Sequence, residues 1–365
     1  MNPFFTEEGG GSLCISPALA VLLRRLRYSN LRVGICCQDD DARPQKETLI
    51  KGLAATHSLN CVSLSGKHED SFNKFSEAWN GTGPVSWYIT SKEYELFFSQ
   101  LKSKGWRIVY VGAESDIRAK DGFSNISKLE ELPITICSFN KMVTCDKLTL
   151  MIGYVMKLSR EEDFAKAGIF PMYPTENGLL FVPLTFELPL AQQLRRLDAL
   201  LHKATDEIIQ IDASSDFSKG TVFSPAFCEL KRNIEDMPEF CVLDPLNNIY
   251  PLLDRHMIQN IICKLDGFTI NGQFKIRAPR FLKVDTFEIS SLKDGLSEAS
   301  LSFPVIVKPQ VACGVSDAHD MALVFKIEDF ENLFVPLPAV IQEYVDHGSW
   351  LFKFYVLGDK VFHIQ

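Results

Sequence analysis

Apolar and polar positions alternate in two rhythms along this chain, and the change of rhythm divides it. From residue 31, short β-rich runs take turns with polar stretches of helical spacing: "LRVGICC", a helix near Gln45 to His57, "NCVSLS", a helix near Ser71 to Trp79, "VSWYIT", a helix over Lys92 to Lys104, then "WRIVYVG". Such alternation with short polar joints predicts a parallel sheet wrapped by helices, a Rossmann-like N-terminal α/β domain over residues 31–145. Residues 1–30 ahead of it, with the glycine-rich start "MNPFFTEEGGGS", read as a flexible segment.

A second α/β unit, residues 146–265, opens with "LTLMIGYVMKLSREEDFAKAGI": a strand ending at Gly153 and Tyr154, basic Lys157 and Arg160, and an amphipathic helix to about Lys166. "GLLFVPLTFELPL" is apolar but broken by Pro183, Glu187 and Pro189, which predicts loop and buried edge, not a membrane span. Leu197 to Leu201 predict a buried strand, whose end delivers His202 and Lys203 where ligands of open α/β sheets sit. Apolar residues at 249, 252, 253, 258, 261, 262 and 265 have helical spacing with one stripe toward the core, and Arg255 rides on that helix.

From residue 281 the rhythm turns to strands, "RFLKVD", "FPVIVKP", "MALVF", "AVIQEYV", "LFKFYVL" and "KVFHI", within a third region of residues 266–365. Gly358 and Asp359 signal a two-residue hairpin between the last two. Period-2 alternation puts Leu351, Lys353, Tyr355 and Leu357 on one face. Lys308, after the apolar run Val305 to Val307, and Lys353 are expected on either side of the buried strand ending in "QEYVDH". Half-buried lysines are costly unless an anion compensates them, so a polyanion between them is the natural ligand, a nucleoside triphosphate first.

Composition narrows this further. Across 365 residues, 38 Lys and Arg against 46 Asp and Glu give a net charge of −8, which disfavours nucleic-acid binding and requires any anion to meet a local cluster of cations. Ten cysteines without a C-x-x-C pair, no signal-peptide pattern and no long apolar run predict reduced thiols in a cytoplasmic protein that does not enter a membrane. "QDDDARP" places Asp39 and Asp41 in the D-x-D spacing of haloacid-dehalogenase phosphatases; without a partner lysine downstream it reads chiefly as a solvated acidic loop. G-x-x-x-x-G-K-[ST], G-x-G-x-x-G and kinase H-R-D/D-F-G patterns are all missing, so ATP, if used, is held by another fold.

"HKATD" (202–206), "VLDPLNNIYPLLDR" (242–255), "VIVKPQVACGVSDAHDMALVF" (305–325) and "VIQEYVDHGSWLFKFYVLGD" (340–359) together closely resemble the inositol 1,3,4-trisphosphate 5/6-kinase family, the inositol-tetrakisphosphate 1-kinases, which are ATP-grasp enzymes. The added N-terminal domain is similar to that of long plant members. The resemblance implies that Arg255 and Lys308 contact ATP phosphates, and that the run from Gln342 through Glu343, Tyr344, Val345 and Asp346 to Lys353 forms the hinge and cover of the nucleotide pocket. It also implies that His319 and Lys353 face inositol phosphates, with His202 and Lys203 near the same cleft. In "GYVMKLSR", Arg160 stands where the family has a substrate lysine, and an arginine prefers forked contacts.

The family's magnesium ligands, an Asp and a later D-x-N in a third lobe, are expected beyond Gln365; the chain then reads as an incomplete, C-terminally truncated ATP-grasp kinase of substrate lobe plus central antiparallel lobe. The expected activity is magnesium-dependent transfer of the ATP γ-phosphate to inositol 1,3,4-trisphosphate at 5/6 and inositol 3,4,5,6-tetrakisphosphate at 1, by a monomer. The alternatives are an inactive binder of inositol phosphate or nucleotide and, last, carboxylate–amine ligation.

Overall fold

The computed structural model describes residues 3–8, 12–29, 32–38, 44–64, 68–79, 85–92, 95–112, 122–143, 149–270, 272 and 274–364. They gather into two compact units, Met1–His202 with Arg232–Leu243, and Lys203–Lys231 with Asp244–Gln365.

The first unit opens with an antiparallel pair, β1 (Phe5–Glu8) and β2 (Ser12–Ile15), and a helix, α1 (Pro17–Tyr28). The Ser16 side chain accepts a hydrogen bond from the Leu19 amide, and Pro17 fills a first-turn position where its missing N–H costs nothing. Within residues 1–30, expected to be flexible, the described residues thus hold an antiparallel strand pair and a capped helix.

Next come β3 (Gly34–Gln38), α2 (Pro44–Thr56), β4 (Asn60–Leu64), α3 (His68–Ala78), β5 (Ser86–Thr90), α4 (Glu95–Ser103), β6 (Trp106–Val111), β7 (Phe123–Ile126) and α5 (Leu132–Val143). Every pairing here is parallel, as the alternation requires, but β3 pairs with β4 and β5-β6-β7 form a separate sheet where one sheet was expected. Val62, Leu64, Phe75, Phe97, Phe98, Leu101 and Ile108 pack one core among these strands and helices.

The chain then makes β8 (Leu150–Val155), α6 (Leu158–Lys166), β9 (Leu179–Pro183), α7 (Leu190–Leu194) and β10 (Ala199–His202). It passes through β11 (Ile208–Ile211), α8 (Phe217–Gly220), β12 (Thr221–Phe223) and α9 (Pro225–Glu235) before β13 (Cys241–Leu243) completes a parallel sheet of order β13-β10-β8-β9. β9, with its closing Pro183, sits at the edge, where a residue without an N–H is tolerated.

The second unit continues with α10 (Tyr250–Leu253), α11 (Arg255–Ile262), β14 (Thr269–Ile270), β15 (Phe274–Lys275), β16 (Phe281–Val284), α12 (Ile289–Glu298), β17 (Val305–Pro309), β18 (Ala322–Val324), β19 (Ala339–Glu343), β20 (Lys353–Leu357) and β21 (Lys360–Ile364). The stripe expected over 249–265 is only partly inward: Leu253 is buried, whereas Leu252, Ile261 and Leu265 are exposed. An antiparallel sheet of order β16-β19-β17-β18 packs Val305, Val307, Ala339 and Ile341 against Leu292 and Leu296 of α12 and against Phe330. β20 and β21 form the expected hairpin, with Gly358 at a positive φ of 61° in its turn. That hairpin is a two-stranded sheet of its own.

Candidate functional site

Alternation along β17 decides where its lysine goes. Val305, Val307 and Pro309 are buried toward α12, so Ile306 and Lys308 face the opposite side of the sheet. Register pairs Ile306 with Gln342 and Lys308 with Val340. Lys308 Nζ thus reaches diagonally to Gln342 and donates to its Oε1 at 2.5 Å. This amide neutralises no charge. Burial first, and the positive charge of Arg255 second, pull the Lys308 pKa below its ordinary 10.5. An anion against this face would relieve both penalties.

Arg255 is held from several directions. Its Nη1 donates to the carbonyls of Pro309 (2.7 Å) and Val311 (2.6 Å), its Nη2 to those of Ala318 (2.8 Å) and Ala312 (3.4 Å). The neighbouring backbone adds Arg255 N–H to Gln310 O at 2.8 Å and Ala312 N–H to Leu253 O at 2.7 Å. Buried Asp254 caps α11 through the His256 amide (2.8 Å) and accepts from Gln310 Nε2 at 3.0 Å. The guanidinium expected on ATP phosphates therefore spends its four Nη hydrogens on carbonyls, fastening residues 309–318.

That fastened loop carries the other expected contacts. Gly314 has φ +93°, and a Cβ there would meet Ile208 Cδ1 at 2.8 Å, so this turn requires glycine. Cys313 is half-buried; burial raises its pKa against the opposing charges of Lys203 and Arg255, keeping it a thiol. The charge of Arg255 is thus felt at both Lys308 and Cys313, and that of Lys203 at Cys313. His319 is exposed at the end of the same loop, one residue after the carbonyl that Arg255 holds.

The segment after Gln342 divides into a braced residue and an exposed run. Glu343 accepts from Arg277 Nη1 at 2.6 Å and Nη2 at 2.8 Å and from the Arg280 amide at 3.1 Å. The Arg277 hydrogen bonds lead in lowering its pKa to about 2. β19 ends there, and Tyr344, Val345 and Asp346 follow as exposed non-strand residues, Asp346 accepting from the Gly348 amide at 2.9 Å. Lys353 is exposed on β20, which pairs with β21; the neighbours of β19 are β16 and β17. The expectation that Lys308 and Lys353 flank β19 is corrected accordingly: a local strand pattern carries no information on sheet membership.

Arg160, in the first turn of α6, and His202, the last residue of β10, belong to the first unit, while Lys203 belongs to the second. Asp39 and Asp41 lie outside the described residues. Sequence reasoning missed the Asp254–Gln310 pair, which only the bridge between Asp254 and Val311 brings together, and the buried Arg25–Glu161–Tyr154 network. Among the described residues no group of three or more His, Cys, Asp and Glu side chains is placed to hold a metal ion together.

Residues 270–365 match the inositol 1,3,4-trisphosphate 5/6-kinase ATP-grasp domain, and residues 4–142 match the ITPK4, N-terminal HAD-like domain. This chain is 50% identical over 361 residues to inositol-tetrakisphosphate 1-kinase 6 of Oryza sativa subsp. japonica, covering 98% of this chain and 65% of that protein. Inositol-tetrakisphosphate 1-kinase of Danio rerio is 30% identical over 190 residues, 52% of this chain and 45% of its own length. A solved structure, N5-carboxyaminoimidazole synthetase from Staphylococcus aureus, aligns at 12% identity and a TM-score of 0.29 over 77% of this chain and 53% of that one, too low to carry an argument. Residues 270–365 are thus of the ATP-grasp class. Over 98% of its length the chain is similar to an inositol-tetrakisphosphate 1-kinase, and it spans 65% of the length of that rice relative.

Proposed function

We propose that this protein works as an ATP-dependent inositol polyphosphate kinase, moving the γ-phosphate of ATP to a free hydroxyl of an inositol tris- or tetrakisphosphate. The observation that carries the nucleotide half is Lys308, held on a rigid strand in a partly desolvated position with a neutral amide as its hydrogen-bond partner among the described residues and with the charge of Arg255 acting on it. The family match over residues 270–365 supports the acceptor. We read the chain as dividing near residues 145 and 265, with a Rossmann-like first part; the separate matches over residues 4–142 and 270–365 support that reading.

In this reading Lys308 and Lys203 hold phosphate oxygens, Arg255 shapes the 309–318 loop, and residues 342–346 border the adenine side. His319, Lys353, Arg160 and His202 orient the acceptor. No protein nucleophile is needed, because phosphoryl transfer rests on alignment and charge neutralisation. Magnesium accompanies ATP, and no ligand for it is assigned in this chain. The free thiols of the described cysteines suit a reducing compartment, which we take to be the cytoplasm, with the protein as a monomer.

A radiolabelled transfer assay with γ-labelled ATP, magnesium and an inositol tetrakisphosphate tests the reading. Labelled inositol pentakisphosphate is the expected product. Binding of both ligands by calorimetry without transfer would instead identify a non-catalytic binder.

A further inference from the structure

Arg25 lies in α1, inside the region matched by the N-terminal HAD-like domain, yet its side chain ends on the helix that follows β8. Its Nε donates to Glu161 Oε1 at 2.6 Å and its Nη2 to Glu161 Oε2 at 3.1 Å, a forked pair. Tyr154, at the end of β8, donates its hydroxyl to Glu161 Oε1 at 2.8 Å. Glu161 and Tyr154 are 5% and 4% exposed, so the carboxylate has left water and depends on these partners. Burial alone would lower the Arg25 pKa; the Glu161 hydrogen bond and charge outweigh it and the pKa is raised. Tyr154 in turn stacks on Phe170, centroids 4.3 Å apart, and the next turn is fixed to α1 where the Met172 amide donates to Ser29 Oγ at 3.3 Å.

Glu161 follows Arg160 directly, and both share the first turn of α6 with Lys157 at its N-cap. A helix whose first turn is fixed at Glu161 cannot rotate about its axis without breaking the fork. The orientation of Lys157 and Arg160 is therefore set from α1. We propose that Arg25 is a positioning residue for inositol phosphate recognition: by clamping Glu161 it fixes the angle at which the first turn of α6 presents its cations, making the N-terminal region a working part of the substrate lobe. This rests on the reading of Arg160 as an acceptor contact.

Calorimetry on the full chain with ATP and with an inositol tetrakisphosphate, beside hydrogen exchange over residues 155–166, tests it. Arg25→Gln is expected to weaken inositol tetrakisphosphate binding about 10-fold while ATP binding stays within about 2-fold, and Arg25→Lys, which keeps the charge and loses the fork, to fall between. Equal loss for both ligands, or for neither, overturns the proposal. Should Arg25→Gln not fold, the pair Arg25→Gln with Glu161→Gln leaves no unpaired buried charge and carries the same comparison. If the unsubstituted chain binds no inositol tetrakisphosphate, the kinase reading fails separately; faster exchange confined to α6 in the variant still supports the clamp, and unchanged exchange rejects it.

Discussion

A single carboxylate shows how the electrostatics of this site can be read at the scale of one residue. Glu343 closes β19 under a forked contact from Arg277 and an amide contact from Arg280, and its pKa is lowered to about 2 from an ordinary 4.5. A depressed carboxylate contributes its stabilisation above 4.5 and loses it as pH falls toward 2. Carbon-13 titration of the Glu343 carboxyl should therefore report a midpoint near 2, moving toward 4.5 in Arg277→Ala; a midpoint near 4.5 in the unsubstituted protein would contradict the brace. The half-buried strand position of Lys308 was legible in the sequence, because it ends an apolar run whose alternate residues are buried. The Arg25–Glu161 pair was not, since its members lie 136 positions apart and local spacing carries no trace of their contact.

Among the elements, the loop between β17 and β18 is the one most dependent on backbone chemistry. Gly314→Ala puts a Cβ at φ +93° against Ile208, and the left-handed strain alone costs about 1–3 kcal/mol. Urea unfolding should register that loss and calorimetry a weaker ATP interaction, because the loop would leave the carbonyl positions that Arg255 holds; an unchanged midpoint and affinity would show that the loop is not shaped by this turn. Elements with strong periodicity were readable in advance: β17, β19 and the β20–β21 hairpin, whose Gly358 and Asp359 turn is a short-range signal. Sheet membership was not, because hydrogen bonding between distant strands leaves no local trace, and this is why Lys353 was expected beside β19. The helix stripe over 249–265 was overread for a related reason: spacing reports which positions align, not whether anything covers them, and Leu252, Ile261 and Leu265 stay exposed.

For the molecule as a whole, α1 changes the meaning of the N-terminal region, which a glycine-rich start had suggested was a loose lead-in. Tied to Glu161 and to the turn at Met172, it belongs to the same compact unit as the β13-β10-β8-β9 sheet. The second unit places Lys308 and Arg255 where β17, α11 and the 309–318 loop meet, and the central claim is that this locality receives nucleotide phosphates. Calorimetric titration of ATP into the full chain and into Lys308→Met tests that most directly. Removing one charge-assisted phosphate contact of about 1.5–3 kcal/mol predicts roughly 10- to 100-fold weaker binding with the fold intact; equal affinity in the two proteins would contradict it.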